Sequence, residues 1–317
     1  MTAAGIRRLD PADDAGRAAY IAIRNATTPD SPDSLENLRW ADATYPGGAL
    51  FLAENADGLA VGAASAGRIY MHGPEFERWW LGLWVHPDAR RRGIGEALLR
   101  AASDAARAAG KAGFQTELSE RHTEGLRFLA AHGFVETDRS KAVRLELAGL
   151  TPRAGDLPPG IALTTLAERP DLLPGVHRVA VEAFPDIPTG GEPMYVGTFE
   201  EFVARDVDHV DVPRDAFILA VDEATGEVAG YGNLEYEPGN PRVAWHEMTA
   251  VRPAWRGRGI ATAIKQAVIA WAIANGLEAL ETGNDETNAP MRAVNARLGY
   301  RPLPDVIGFQ GPLAPEA

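Results

Sequence analysis

The chain has 317 residues, 45% of them hydrophobic and 24% charged, with no cysteine and a formal net charge of −13. That length suits two folded domains rather than one. The missing cysteine excludes disulfides, thiolate metal sites and a cysteinyl acyl-enzyme. The acidity argues against nucleic acid and anionic membranes as partners, and no apolar run approaches the ~20 residues of a membrane span.

The first ten residues carry no apolar stretch after their charges, so no secretory leader is expected and the cytoplasm is the expected compartment. The charge is uneven: residues 1–150 carry a net −2 and residues 151–317 a net −11. An acidic second half suits solubility, and it also suits a cationic acceptor such as an amine. The seven histidines show no ligand spacing, so no metal is expected.

In chain order, residues 6–9 read as a strand and 13–25 as a helix opened by acidic residues. A short helix is predicted over 35–41. Residues 49–54 and 59–68 read as a hairpin, and 77–85 as a strand. Ile94, Ala97, Leu98, Ala101 and Ala105 recur at helical spacing, which predicts an amphipathic helix to about residue 109. A strand over 113–118, a helix over 124–132 ended by Gly133, and a strand over 142–147 complete the first pattern. Residues 151–160, rich in proline and glycine, read as a linker.

The pattern then repeats. A strand over 161–166, helices over 172–183 and 199–207, a hairpin over 217–234 and a strand over 242–251 follow. Next come a helix carrying Ile260, Ile264, Ala267, Val268 and Trp271, a strand over 277–282 and a helix over 290–298. The reading is therefore α+β: two tandem domains over 1–150 and 161–317, each a mixed, mostly antiparallel sheet with helices on both faces.

The repeat is exact in spacing where the chemistry lies. Val85-His86-Pro87 precedes Arg90-Arg91-Arg92-Gly93-Ile94-Gly95, and Val251-Arg252-Pro253 precedes Arg256-Gly257-Arg258-Gly259-Ile260-Ala261, each pair 166 residues apart. Gly133-Phe134 and Gly299-Tyr300 keep the same offset. A strand, a proline turn, an arginine-rich loop and a helix opening at glycine make an anion cradle. The first backbone N–H groups of a helix are unpaired, and glycine lets a ligand approach them. Neither a dinucleotide fingerprint nor a P-loop is present.

With Arg90, Gly93 and Gly95, and again Arg256, Gly259 and Ala261, both halves resemble the GNAT superfamily of acyl-CoA-dependent N-acyltransferases. The resemblance covers nearly the whole chain, most clearly 76–147 and 242–310. The tandem organisation is similar to that of mycothiol synthases and of acyltransferases from antibiotic gene clusters. It implies two GNAT-like domains and acetyl-CoA, or another acyl-CoA, as cofactor. The diphosphate would lie on Arg91, Arg92, Gly93, Ile94 and Gly95, and on Gly257, Arg258, Gly259, Ile260 and Ala261 beside Arg256. Pantetheine would pair with Leu83, Trp84 and Val85, and with Thr249, Ala250 and Val251. An asparagine at the start of a late helix contacts the cofactor in relatives, which points to Asn288.

Amide formation needs a base for the amine and a proton for the thiolate. Some relatives carry the base four residues before the valine, which here is Glu247; the first copy has Leu81. Regular alternation sets Glu247 on one face with Thr249 and Val251, and His246 on the other. The tyrosine that serves many relatives as acid is replaced by Leu129 and Asn295, and Asn295 remains able to donate a hydrogen bond near the sulfur. These differences favour the second copy as catalyst. Phe184, Asp186, Tyr195, Glu235 and Tyr236 are candidates for the acceptor side, and 185–197 for a mobile lid. The expected activity is N-acetylation of a small-molecule amine by direct attack in a ternary complex. A non-catalytic acyl-CoA-binding or regulatory module and a protein amine acetyltransferase are the alternatives. The oligomeric state is not legible.

Overall fold

The computed structural model describes residues 4–152, 157–188 and 194–316. Residues 153–156 of the expected linker and 189–193 of the candidate lid lie outside them. The chain divides into two compact units: Met1–Arg139 with Val306–Ala317, and Ser140–Asp305.

Along the chain the elements are β1 (Gly5–Arg8), α1 (Asp14–Thr27), α2 (Leu35–Thr44), β2 (Ala49–Glu54), β3 (Ala60–Gly67), β4 (Arg78–Val85), α3 (Ile94–Ala108), β5 (Gly113–Ser119), α4 (Thr123–Ala131) and β6 (Val135–Glu146). There follow β7 (Ile161–Thr165), α5 (Leu173–Ala183), α6 (Phe199–Phe202), β8 (Ile218–Asp222), β9 (Val228–Gly232), β10 (Glu235–Glu237), β11 (Asn240–Trp245) and β12 (Thr249–Val251). The chain ends with α7 (Ile260–Ala274), β13 (Ala279–Asp285), α8 (Ala289–Leu298), β14 (Arg301–Pro302) and β15 (Val306–Pro312). Among the described residues no helix is long and apolar enough to cross a membrane.

The first unit orders its sheet β1-β2-β3-β4-β5-β15, antiparallel except for the parallel β4–β5 pair. One face packs on α3, where Leu98, Leu99, Ala102 and Ala106 bury the stripe that the sequence shows. The other packs on α1 and α2 through Tyr20, Ile23 and Leu38. Side chains close two helix starts: the Asp13 carboxylate accepts from Gly16 N and the Ser34 hydroxyl from Asn37 N.

The second unit has the antiparallel order β12-β9-β8-β7 and a second group, β10-β11-β13-β6, in which β11–β13 is parallel. α7 covers one face through Ile260, Ile264, Val268 and Ala272. α5, the turn that follows it and α6 cover the other through Val176, Val179, Phe184 and Phe202. A Thr198–Glu201 capping box opens α6. Its continuation over Val203–Val207 is one π-helical turn.

Two features depart from the expected pattern. The units do not divide at 151–160. The closing strand of the first unit is β15, whose Val306–Pro312 pairs with Ser119–Gly113 of β5. The strand expected over 142–147 to close the first copy belongs instead to the second unit, where residues 140–146 pair with β13. The single strand expected over 242–251 is also broken: β11 ends at Trp245 and β12 begins at Thr249.

Candidate active site

In the first unit β4 pairs with β3 from Trp80 to Val85, but with β5 only from Arg78 to Trp80. Beyond Trp80 the two parallel strands part, so Leu83, Trp84 and Val85 present one edge without a strand partner. The second unit opens in the same place. Val243–Trp245 pairs with Ala279–Glu281, while Thr249–Val251 pairs only with β9. A wedge in a sheet leaves backbone N–H and C=O groups that need a partner. At this edge the hydroxyl of Thr249 is buried and without a hydrogen bond.

The loops past the wedge share one backbone. Arg91 and Gly257 both lie in the left-handed region, at φ +60° and +74°, and so do Gly93 and Gly259, at +79° and +87°. Among the described residues Arg91 is the one non-glycine with positive φ. Such alternation turns successive N–H groups into one concavity. Gly93 caps α3 and Gly259 caps α7, and neither helix start receives a side-chain cap. A Cβ at Gly93, Gly257 or Gly259 would meet nothing within 4 Å, so open space lies over each loop. Ile94 and Ile260 are buried and anchor the loops, while Arg91, Arg92 and Arg258 are exposed at the rim. Gly95 passes close under Phe128, and Ala261 packs against the α7 core.

The first arginine of each motif braces the turn. Arg90 Nε donates to Val85 O at 3.2 Å and Arg256 Nε to Val251 O at 3.0 Å. Each then pairs with a carboxylate: Arg90 with Glu124 at 2.7 Å, Arg256 with Asp186 at 2.6 Å. Asp186, a candidate for the acceptor side, is therefore engaged with the loop. Phe184, another, is fully buried and belongs to the core.

The break between β11 and β12 is a bulge gripped by Asn233. Its N–H donates to Met248 O at 3.1 Å, and its carbonyl accepts from Glu247 N at 3.1 Å. Its side-chain oxygen accepts from Met248 N at 3.2 Å. The extra residue reverses the alternation. Val251 packs against α7, whereas Met248 and Ala250 pack with α5. His246 turns towards α7 and is fully buried, with Nδ1 3.0 Å from Tyr300 Oη. Glu247 consequently does not share a face with Thr249 and Val251, as regular alternation would have it. It joins Asp206 on the π-helical turn and Tyr231 on β9.

Glu247 is exposed to solvent. Desolvation, then the charge of Asp206, raises its pKa to about 7, and water access tempers that rise. Burial, then Glu247, raises Glu235 to about 8. Asp206 is raised by burial and held back by Arg205, 2.7 Å away. His209 lies 3.4 Å from Glu235 and is lowered to about 4 by burial.

The remaining expected residues lie on α8. Asn288 is its N-cap and accepts from Met291 N at 3.3 Å. Asn295 is buried, and its amide donates to Asn284 at 2.7 Å while its oxygen has no partner. No bond joins Asn295 to Glu247. The first unit differs over its wedge. Leu81, the counterpart of Glu247, is buried under α3. Trp84 folds back over Gly82, where a Cβ would meet its ring at 2.3 Å, and packs edge-on against Tyr20.

Two family models match the chain: the acetyltransferase (GNAT) domain over residues 46–136 and the acetyltransferase (GNAT) family over residues 180–300. The chain is a tandem GNAT N-acetyltransferase. Mycothiol acetyltransferase of Clavibacter michiganensis subsp. michiganensis is 28% identical over 94% of this chain and 92% of its own length. Aminoglycoside N(6')-acetyltransferase type 1 of Stenotrophomonas maltophilia is 36% identical over 45% of this chain and 93% of its own. The tandem GNAT protein of the clavulanic acid biosynthesis pathway superposes with a TM-score of 0.79 at 22% identity, covering 99% of this chain and all of that one. A GCN5-related N-acetyltransferase from Sphaerobacter thermophilus gives 0.72 at 21%, covering 99% and 97%. At these identities the two structures speak for the fold of this GNAT chain. Asp206, Tyr231 and Asn233 were not legible as site residues, because only the folded sheet brings them to Glu247.

Proposed function

We propose that the second unit transfers an acetyl group from acetyl-CoA to a small-molecule amine, with Glu247 as general base. The observation that carries this reading is the place of Glu247: a carboxylate raised to about 7, beside the wedge and on the face away from α7. Two of the relatives are named for mycothiol and for an aminoglycoside nitrogen, which supports a small amine as acceptor.

The residues suit the cofactor. A concave loop with open space over its glycines fits a diphosphate, and an unpaired strand edge with an orphan hydroxyl fits an extended amide chain. Gly257, Arg258, Gly259, Ile260 and Ala261 would hold the diphosphate, and Thr249, Ala250 and Val251 the pantetheine. Acetyl-CoA supplies an activated thioester. Glu247 takes the proton that the amine loses as its nitrogen bonds to the acyl carbon and the C–S bond breaks. The thiolate receives its proton from water, and Asn295 can donate a hydrogen bond near the sulfur. The first unit keeps the loop and lacks the carboxylate, which fits acyl-CoA binding without turnover. Release of free CoA with acetyl-CoA and a panel of amines tests the reading: amine-dependent release with an acetamide product is expected. Binding of CoA without any release would leave a non-catalytic module instead, and label on protein would point to a protein acceptor.

A further inference from the structure

The acceptor side of the second unit holds more carboxyl groups than one ammonium requires. Glu235 lies opposite Trp245, and Glu247 follows two residues later, bonded to Asn233, which precedes Glu235 by two. The two carboxylates therefore sit on adjoining stretches of chain, where the β10–β11 pairing gives way to the bulge. Asp206 is answered by Arg205 at 2.7 Å. Among the described residues Glu247 has no ion pair, and Glu235 has no guanidinium or ammonium beside it, only the His209 imidazole at 3.4 Å. The nearest imidazole to Glu235, His209, is held neutral by burial, and Asp211 and Glu237 add further negative field.

A second observation points to a ligand. Tyr231 is 1% exposed, and its hydroxyl has no hydrogen-bond partner. The fields of Asp206 and Glu247 both reach it. Leaving a buried hydroxyl unpaired is costly, and phenylalanine would avoid that cost. The phenol stands ready for a polar group that arrives beside Glu247. A single divalent metal does not fit, because no three His, Asp or Glu side chains among the described residues are placed to hold one. Two separate cationic centres do fit.

We infer that the acceptor is a diamine: one amino group reacts beside Glu247 and Tyr231, and a second, as ammonium, is held by Glu235. This rests on the reading of the second unit as the catalyst. Glu235 is a specificity-determining residue and touches no reacting atom.

The test compares 1,4-diaminobutane with 1-aminobutane, using the full chain and acetyl-CoA. Losing one charge-assisted contact weakens binding by about tenfold to hundredfold. The diamine should therefore win in kcat/KM by that factor, and Glu235→Gln should erase the preference chiefly through KM. Equal use of both amines, or a preference that survives Glu235→Gln, overturns the inference and leaves acetyl transfer intact. Calorimetry of 1,4-diaminobutane against the CoA-loaded chain covers the case without turnover. Heat that vanishes in Glu235→Gln supports the diamine site even if acetyl transfer fails, and no heat overturns it.

Discussion

A carboxylate acts as base only when it is ionised as the amine arrives and still holds a proton well once it has taken one. Desolvation together with Asp206 brings Glu247 to about 7, which meets both needs near neutrality. The sign follows: Glu247 must be deprotonated, so the rate falls as pH drops through about 7. Glu247→Gln should lower kcat by ~100-fold at pH 7 and by less at high pH, where the amine loses its proton unaided. A pH–rate profile measures this, and a variant that keeps the same acidic limb would move Glu247 to a binding role. Glu247 was singled out by the family resemblance, four residues before Val251, but its direction was not legible. Nothing in His246-Glu247-Met248 marks a bulge, since the bulge is made by Asn233 far upstream.

Helices carry the next level. Two glycine-capped helices were plain in the sequence, because apolar spacing and the Arg-Gly loop agree. What the sequence hid is the lysine inside α7. Lys265 is 2% exposed, lies 5.6 Å over the Tyr300 ring, and is lowered to about 7 by burial. An unfolded lysine keeps its proton to about 10.4. Between these values the unfolded chain binds more protons, so this group makes stability rise with pH over that window. The cost is fully present below about 7. Lys265→Met should raise stability at pH 7 by ~1–3 kcal/mol and flatten the slope between pH 7 and 10. Denaturant titrations across pH measure it, and a less stable variant with the slope intact would show that the amine contributes a bond.

At the scale of the molecule, two copies of one fold were legible from the offset, and the exchange of their closing strands was not. Strand pairing is set by contacts between segments far apart in sequence, and residues 306–312 carry no sign of which sheet they join. Ile307 and Phe309 complete the core of the first unit. Ending the chain at Asp305 should therefore unfold the first unit, although the cut lies at the far end. Hydrogen exchange should show lost protection in β4 and β5, and protection retained there would contradict the strand assignment.

The working unit is tested most directly by placing a carboxylate in each loop in turn. An aspartate at Gly259 or Gly93 forces a side chain into the left-handed region and sets a negative charge where a diphosphate would rest. Amine-dependent release of CoA from acetyl-CoA should vanish in Gly259→Asp and persist in Gly93→Asp. Turnover that survives Gly259→Asp and is lost in Gly93→Asp would contradict the account.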